Sequence, residues 1–470
     1  MSVKNEITIT IGRDKVRAVT LGKAQTSGAV QFDRLRLATI QVFEELLLDD
    51  TIQIRRHMEV LGELLYDGIF GGDVGDLLEK KLSEVTPDRL RLQLEFENDV
   101  EPKIASMPWE FLYSPVRQDF LATDVNLVLS RYMPLTQDRE TFDQAERPLR
   151  ALIVISRPKD ERAVLAKEVV EKIRSLNAEG QDTVVDVRVV DKPTLRNIED
   201  ALKEHKPHIF HFIGHGRFDP AKRTGYLLLV DPETENSDQC DDSTLIDRFR
   251  NAQCFPRLVF LHMCEGGITG RDATILQAFS GFSPKLIHAR IPSVVAMQYP
   301  IKNENARDFS LAFYSTLAEG GSVDEAVQEG RRSLDLHRRS RLFGTPVLYM
   351  HSAGGLVLPR PAAPAAVSGV APGRPSEAQK PPEPQGTGGG AQMPTVSAAD
   401  LDKVFGTGIQ AAQTVADGGK RAKVLQKLFK LRNDLSGKTS TEVYTACFQA
   451  WQEEQDPELR GVWETVMPVV

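Results

Sequence analysis

From Arg150 to His351 the chain alternates short apolar runs with stretches in which apolar residues recur every three or four positions. The runs are "RALIVIS", "VVDVRVV", "HIFHFIGHG", "RLVFLHMCEGG", "SVVAMQYPI" and "TPVLYMHS". Each is rich in β-branched or aromatic residues and bounded by polar residues, Gly or Pro, so each reads as a strand. Between them the periodicity predicts helices over roughly 160–178 and 194–205, in "DSTLIDRFRNA", after "MCEGG", and twice more before "TPVLYMHS". A hairpin is expected around "GYLLLVD". Strands apolar on both faces and interleaved with helices predict a mostly parallel sheet flanked by helices, an α/β fold.

The first 145 residues have another rhythm: a hairpin in "EITITIG" and "KVRAVTLG", helices in "LATIQVFEELLL" and "MEVLGELLYDGIF", and strands in "RLRLQLEFE" and "VNLVLSRYMPL". They are expected to form an accessory α+β subdomain on the main sheet. In "MPWEFLYSP" Pro108 suits a helix start, and Trp109, Phe111 and Leu112 offer a packing face. Residues 359–398 are rich in Pro, Gly and Ala and bury too little to offset their ordering entropy, so a disordered linker is expected there. Beyond it, "KRAKVLQKLFKLRNDL" carries a helical apolar stripe of Val424, Leu425, Leu428, Phe429 and Leu431. The expected organisation is therefore 1–145, 146–358, the linker 359–398, and a small all-α domain over 399–470. Lys420, Arg421, Lys423, Lys427, Lys430 and Arg432 share that last helix, as a solvated face or a docking surface.

Composition narrows the function classes. With 41% hydrophobic and 26% charged residues and a formal net charge of -8, the chain is an ordinary globular protein rather than a polyanion binder. Nucleic acid is thus not an expected partner. The four cysteines, Cys240, Cys254, Cys264 and Cys447, show neither CxxC pairs nor zinc spacing and are too few for a disulfide scaffold. No run of about 18 apolar residues and no signal-peptide pattern occurs, so a cytoplasmic protein without a membrane span is expected.

Two predicted strand ends carry reactive side chains. One run closes on His215 before Gly216, the other on Cys264 before Gly266 and Gly267. Open parallel sheets place catalytic groups at the carboxyl ends of neighbouring strands, and strands about 4.8 Å apart bring such residues within reach. A thiol of pKa about 8.5 needs a neighbouring base to become a nucleophile, and His215 is the candidate. The backbone N–H groups of Gly216 and Cys264 are candidate oxyanion donors. His211 shares a strand face with His215 at even spacing and is expected either in the core or behind the site as a support, with His208 structural at the strand entry. His215 is expected at a solvent-facing strand end.

The spacing, 264 − 215 = 49, matches the roughly 50 residues between His and Cys in caspases, although "MCEGG" departs from their motif. The ordered set "MPWEFLYSP", "FLATDVNLVLSRYMPL", "HIFHFIGHG", "LVFLHMCEGG", "IPSVVAMQYPI" and "GTPVLYMHS" resembles the CHAT domain family, caspase-fold cysteine peptidases related to separase, over roughly residues 40–357. The resemblance implies a caspase-like peptidase in which His215 is general base, Cys264 nucleophile, and Gly216 and Cys264 the oxyanion hole. It implies hydrolysis of a specific protein partner through a thioester, without metal or organic cofactor, in a regulated prokaryotic defence or cell-death system. The small C-terminal domain is expected to recruit an activating or inhibiting protein. Arg157 and Asp160 follow the first strand of this region, where they would line a substrate pocket or serve as turn residues. His262, counted with them as a pocket residue, stands where Arg- or Lys-directed relatives carry an acid, so a basic first-residue preference is not implied. A catalytically silent caspase-fold scaffold is the alternative function.

Overall fold

In the computed structural model the apolar runs form strands of one sheet, and the amphipathic stretches cover it. The residues described are 5–20, 23–48, 55–85, 88–134, 148–161, 164, 166–177, 183–219, 222, 224–263, 282–299, 301, 303–335 and 341–351, with individual positions between 405 and 463. The expected linker over 359–398 lies outside them, as do Cys264, Gly266 and Gly267. The chain divides into two units, Met1–Arg360 and Pro361–Val470.

The N-terminal part of the first unit contains β1 (Glu6–Ile11), β2 (Lys15–Thr20), β3 (Lys23–Ala29), α1 (Arg34–Leu48), α2 (Arg55–Ile69), α3 (Asp73–Val85), β4 (Leu90–Phe96) and α4 (Pro102–Ala105). It continues with β5 (Tyr113–Ser114), β6 (Asp119–Phe120) and β7 (Leu127–Tyr132). Next come β8 (Leu149–Ile155), α5 (Lys167–Arg174), β9 (Val185–Asp191), α6 (Leu195–His205), β10 (Ile209–Gly214), β11 (Gly216–Asp219), β12 (Thr224–Val230), β13 (Ser237–Asp241), α7 (Asp242–Asn251) and β14 (Leu258–Met263). A helix over 282–288, α8, leads to β15 (Ser293–Met297), α9 (Asn303–Ala318), α10 (Val323–Leu334) and β16 (Pro346–Met350).

The main sheet has eleven strands in the order β3-β2-β1-β4-β7-β16-β15-β14-β10-β8-β9. It is parallel except at β3–β2, β2–β1 and β16–β15. The N-terminal region is therefore not a subdomain set upon the sheet: its strands lie in the same sheet. β16 makes the join, pairing antiparallel with β15 and parallel with β7. Because β16 reverses direction, β4, β7 and β16 point one way and β15, β14, β10, β8 and β9 the other.

Period-two alternation divides the core. Phe210, Phe212, Val259, Leu261, Leu152 and Val154 join one cluster with α6 and α7 residues such as Leu202 and Phe249. His211, Phe260 and His262 point to the other face, against Phe309, Phe313 and Tyr314 of α9. Local signals set the helix ends. Thr194 caps α6, accepting from Asn197 N at 3.2 Å while Asn197 Oδ1 accepts from Thr194 N at 2.8 Å.

Buried charges stitch the join at β16. Arg331 of α10, fully buried, donates to Pro346 O through Nε (3.0 Å) and Nη2 (2.8 Å), and to Leu129 O through Nη1 (2.9 Å). Arg131 of β7 pairs with Glu110, its Nη2 at 2.6 Å from Oε2 and its Nε at 3.1 Å from Oε1. Glu110 comes from the 3-10 turn Trp109–Phe111, which Pro108 precedes as the N-cap residue. Phe111 packs on Phe343 with ring centroids 5.2 Å apart.

In the second unit, the described positions Phe405, Ala412, Val424, Leu428, Val443, Cys447, Leu459, Val462 and Trp463 are helical and buried. Lys420 pairs with Asp456 at 2.6 Å and Lys427 with Glu454 at 3.0 Å, so part of the basic helix face is neutralised within this unit. Among the described residues no helix is long and apolar enough to cross a membrane.

Gly344 is a close-approach glycine: a Cβ there would lie 2.3 Å from the Phe111 ring. Gly344→Ala should lower unfolding free energy by about 1–3 kcal/mol, the usual cost of overpacking a core. Gly28→Ala, whose nearest neighbour would stand at an ordinary 3.4 Å, should shift it by about 0.5 kcal/mol or less. Denaturant titration of the two variants checks the contrast.

Candidate active site

The parallel pairing of β10 with β14 runs from Ile209↔Leu258 to Gly214↔Met263. His215 is the next residue after Gly214. Cys264, the next after Met263, lies outside the described residues. Gly214 is needed where it stands, because a Cβ would come within 2.7 Å of the Phe212 ring and 3.0 Å of Ser156 Cβ. Ser156, just past β8, donates through N to Ile213 O at 2.9 Å and through Oγ to Leu228 O at 2.5 Å. The ends of β8 and β10 are thus tied to the middle of β12 beside His215.

His215 is buried, at 1% exposure, which corrects the expectation of a solvent-facing strand end. The cause is β11–β12 folding back on the end of β10: Leu228 N donates to His215 O at 3.0 Å. That bond also fixes the kind of pairing at Gly216↔Leu227. It is a non-hydrogen-bonded pair, so the Gly216 N–H is directed away from β12.

The other histidines divide by environment. His208 is structural: its Nδ1 accepts from Arg150 N at 3.2 Å, and burial together with Arg150 and Arg257 brings its pKa down to about 4. His211 is in the core, stacked 4.1 Å from Phe260 and 3.1 Å through Nδ1 from Tyr314 Oη. Burial, with His262 nearby, holds its pKa well below 6.5. His262, at 1% exposure, stacks 5.8 Å from His211, and burial lowers its pKa to about 4.

Of the residues expected at the substrate pocket, His262 shares its strand face with Phe260 and is buried at 1% exposure. Arg157 is engaged by Val164 O at 3.1 Å and by Asp191 at 3.1 Å. Asp160 accepts from Ser237 N and Ser237 Oγ, both at 2.7 Å, and this bonding lowers its carboxyl pKa. Both residues brace the loop after β8, Arg157 against the end of β9 and Asp160 against the start of β13.

A different set of polar residues, absent from the sequence expectations, stands on the far side of β14. Gln298 follows β15 and donates through Nε2 to Glu110 Oε2 at 2.9 Å and to Gly344 O at 2.5 Å. A lone acid within the apolar "MPWEFLY" was the available signal for Glu110. A cavity of about 830 Å³ lies at the carboxyl ends of β4 and β7, lined by Glu97, Asp99, Tyr132 and Tyr349 among others. Given the strand directions, it opens at the opposite end of the sheet from His215. Among the described residues no group of three or more His, Cys, Asp or Glu could hold a metal ion.

The sequence profile of the CHAT domain matches residues 65–366. The chain belongs to the CHAT domain family. No curated protein matches this CHAT chain. Among solved structures it is similar to the Arg-specific cysteine proteinase gingipain R, at 12% identity and a TM-score of 0.38, over 64% of this chain and 71% of that one. It is also similar to the Saccharomyces cerevisiae separase–securin complex, at 12% identity and a TM-score of 0.42. That likeness covers 74% of this chain and 30% of the other.

Two expectations follow from the titrating groups. The described cysteines are free and buried, and burial pushes the thiols of Cys240 and Cys447 up to about 12 and raises that of Cys254. Iodoacetamide at pH 7.5 should leave all three unmodified in the folded chain, as peptide mass mapping would show. Separately, a histidine whose folded pKa is depressed binds its proton more readily when unfolded, so stability falls as pH drops from 6.5 toward 4. For His262 the full shift is worth on the order of 3 kcal/mol. His262→Phe, which retains an aromatic ring and removes this titration, should make the acid limb shallower in denaturant midpoints measured from pH 7 to 4, with the part due to His208 and His211 remaining.

Proposed function

We propose that this chain is a cysteine endopeptidase, with His215 as general base and Cys264 as nucleophile. The observation that carries the reading is the β10–β14 register. It ends at Gly214↔Met263, so His215 and Cys264 each follow a paired residue by one peptide unit. Neighbouring parallel strands lie about 4.8 Å apart, a distance that side chains at adjacent positions span. Membership in the CHAT domain family supports the same chemistry.

In this reading a ring nitrogen of His215 takes the Cys264 thiol proton as the sulfur attacks the scissile carbonyl. The developing oxyanion is met by backbone N–H donors at Gly216, directed away from β12, and at Cys264. The imidazolium returns its proton to the leaving amine, and a thioester remains. Water then attacks the thioester with His215 again as base, releasing the acid and restoring the thiol. The burial of His215 limits water at the base and strengthens its interactions with the thiol. The substrate is a protein partner. Capture of an activating or inhibiting protein is assigned to the second unit, where the small all-α domain is expected.

The experiment is N-terminal fragment analysis of a host proteome incubated with the full chain, Cys264→Ala and His215→Asn. The unaltered chain should yield a discrete fragment set, and each variant should lose it by on the order of a thousandfold. Equal fragment patterns in all three would contradict the peptidase reading.

A further inference from the structure

The nucleophile strand β14 has two neighbours, and only the β10 side carries the proposed base. On the other side β15 pairs in parallel, ending with Leu261↔Ala296. Met263 and Gln298 each stand two residues past that pair, at the carboxyl end of the sheet, where open parallel sheets place their ligands. We infer that the end of β15 at Gln298 forms the far wall of the crevice in which a substrate would lie, and that Glu110, on the N-terminal side of the sheet, is a positioning residue for this wall, acting through Gln298. The inference rests on the peptidase reading.

Three bonds fix the end of β15. Gln298 N donates to Thr345 O at 2.9 Å, and its side-chain nitrogen donates to Glu110 Oε2 at 2.9 Å and Gly344 O at 2.5 Å. Both amide hydrogens of the side chain are thereby used. Glu110 cannot drift, since Arg131 grips both of its oxygens, at 3.1 and 2.6 Å, and it is 1% exposed. The same turn braces the next residue: the Phe111 ring meets Tyr299 edge-on at 6.3 Å. A buried carboxylate held by a cation and then bonded to a neutral amide is a rigid reference point, because breaking either bond would leave a buried polar group unpaired. The "MPWEF" segment, far from Cys264 in sequence, thus sets where the wall stands relative to β14. Glu110 itself touches no reacting atom.

A wall that aligns peptide matters to a peptide and not to a small electrophile. The test compares two reagents on Cys264 of the full chain. Iodoacetamide is small. The second reagent is a pool of tripeptidyl acyloxymethyl ketones with varied first side chain, in which the thiolate displaces the carboxylate and forms a thioether. Gln298→Met keeps length and removes both donors while leaving the Glu110–Arg131 pair intact. It should slow the peptidyl reagent about tenfold or more and leave the iodoacetamide rate within about twofold. Equal slowing of both reagents, or of neither, overturns the positioning role. If Gln298→Met gives no cooperative melt, Gln298→Asn, one methylene short of Glu110, is read by the same two rates. A different pattern, in which the unaltered chain and His215→Asn react alike with both reagents, overturns the peptidase reading and this inference with it.

Discussion

The structure depends on the parallel pairing of β10 with β14. Parallel strands in register bring equivalent ends to the same level, here Gly214 and Met263, so residues far apart in sequence can be placed together without any local signal between them. The same pairing sorts the histidines. Alternation sends His211 and His262 into the core under α9, where burial keeps them neutral. His215 comes after the strand has ended, beyond a glycine whose missing side chain lets the ends of β8 and β10 close together.

The second constraint is the position of β16. By pairing with both β15 and β7 it joins two sets of strands that run in opposite directions. Arg331 and the Glu110–Arg131 pair hold that seam with buried, directional bonds where apolar contact alone would permit sliding. Such groups are expensive to bury and severe to disrupt, so the seam has one well-defined geometry. Gln298 carries that geometry from the seam to the end of β15 beside the candidate nucleophile strand.

Much of this was legible along the chain. The strands from "RALIVIS" to "TPVLYMHS" were readable because both of their faces are covered, and α6 from its helical periodicity over 194–205. The core role of His211 followed from its place within an apolar strand. What the sequence did not reveal was non-local. No feature of "TPVLYMHS" announces pairing with "LVLSRYM", and for that reason the N-terminal strands were expected to form a separate subdomain. The burial of His215 depends on a hairpin that returns only at Leu228. Arg157 and Asp160 stand at the expected end of the sheet, but their partners Asp191 and Ser237 come from other loops and engage them as braces. His262 faces the core, as its alternation with Phe260 implies.

The central claim is that positions 215 and 264 are neighbours at the ends of paired strands, and it is tested most directly by turning that neighbourhood into a bond. His215→Cys in the full chain, mildly oxidised and peptide-mapped, should form a disulfide between residues 215 and 264, since paired strand positions fall within the roughly 4.4–6.8 Å Cα separation a disulfide accepts. If both thiols instead remain open to alkylation after the same oxidation while the fold is intact, the two positions do not meet and the proposed site does not exist.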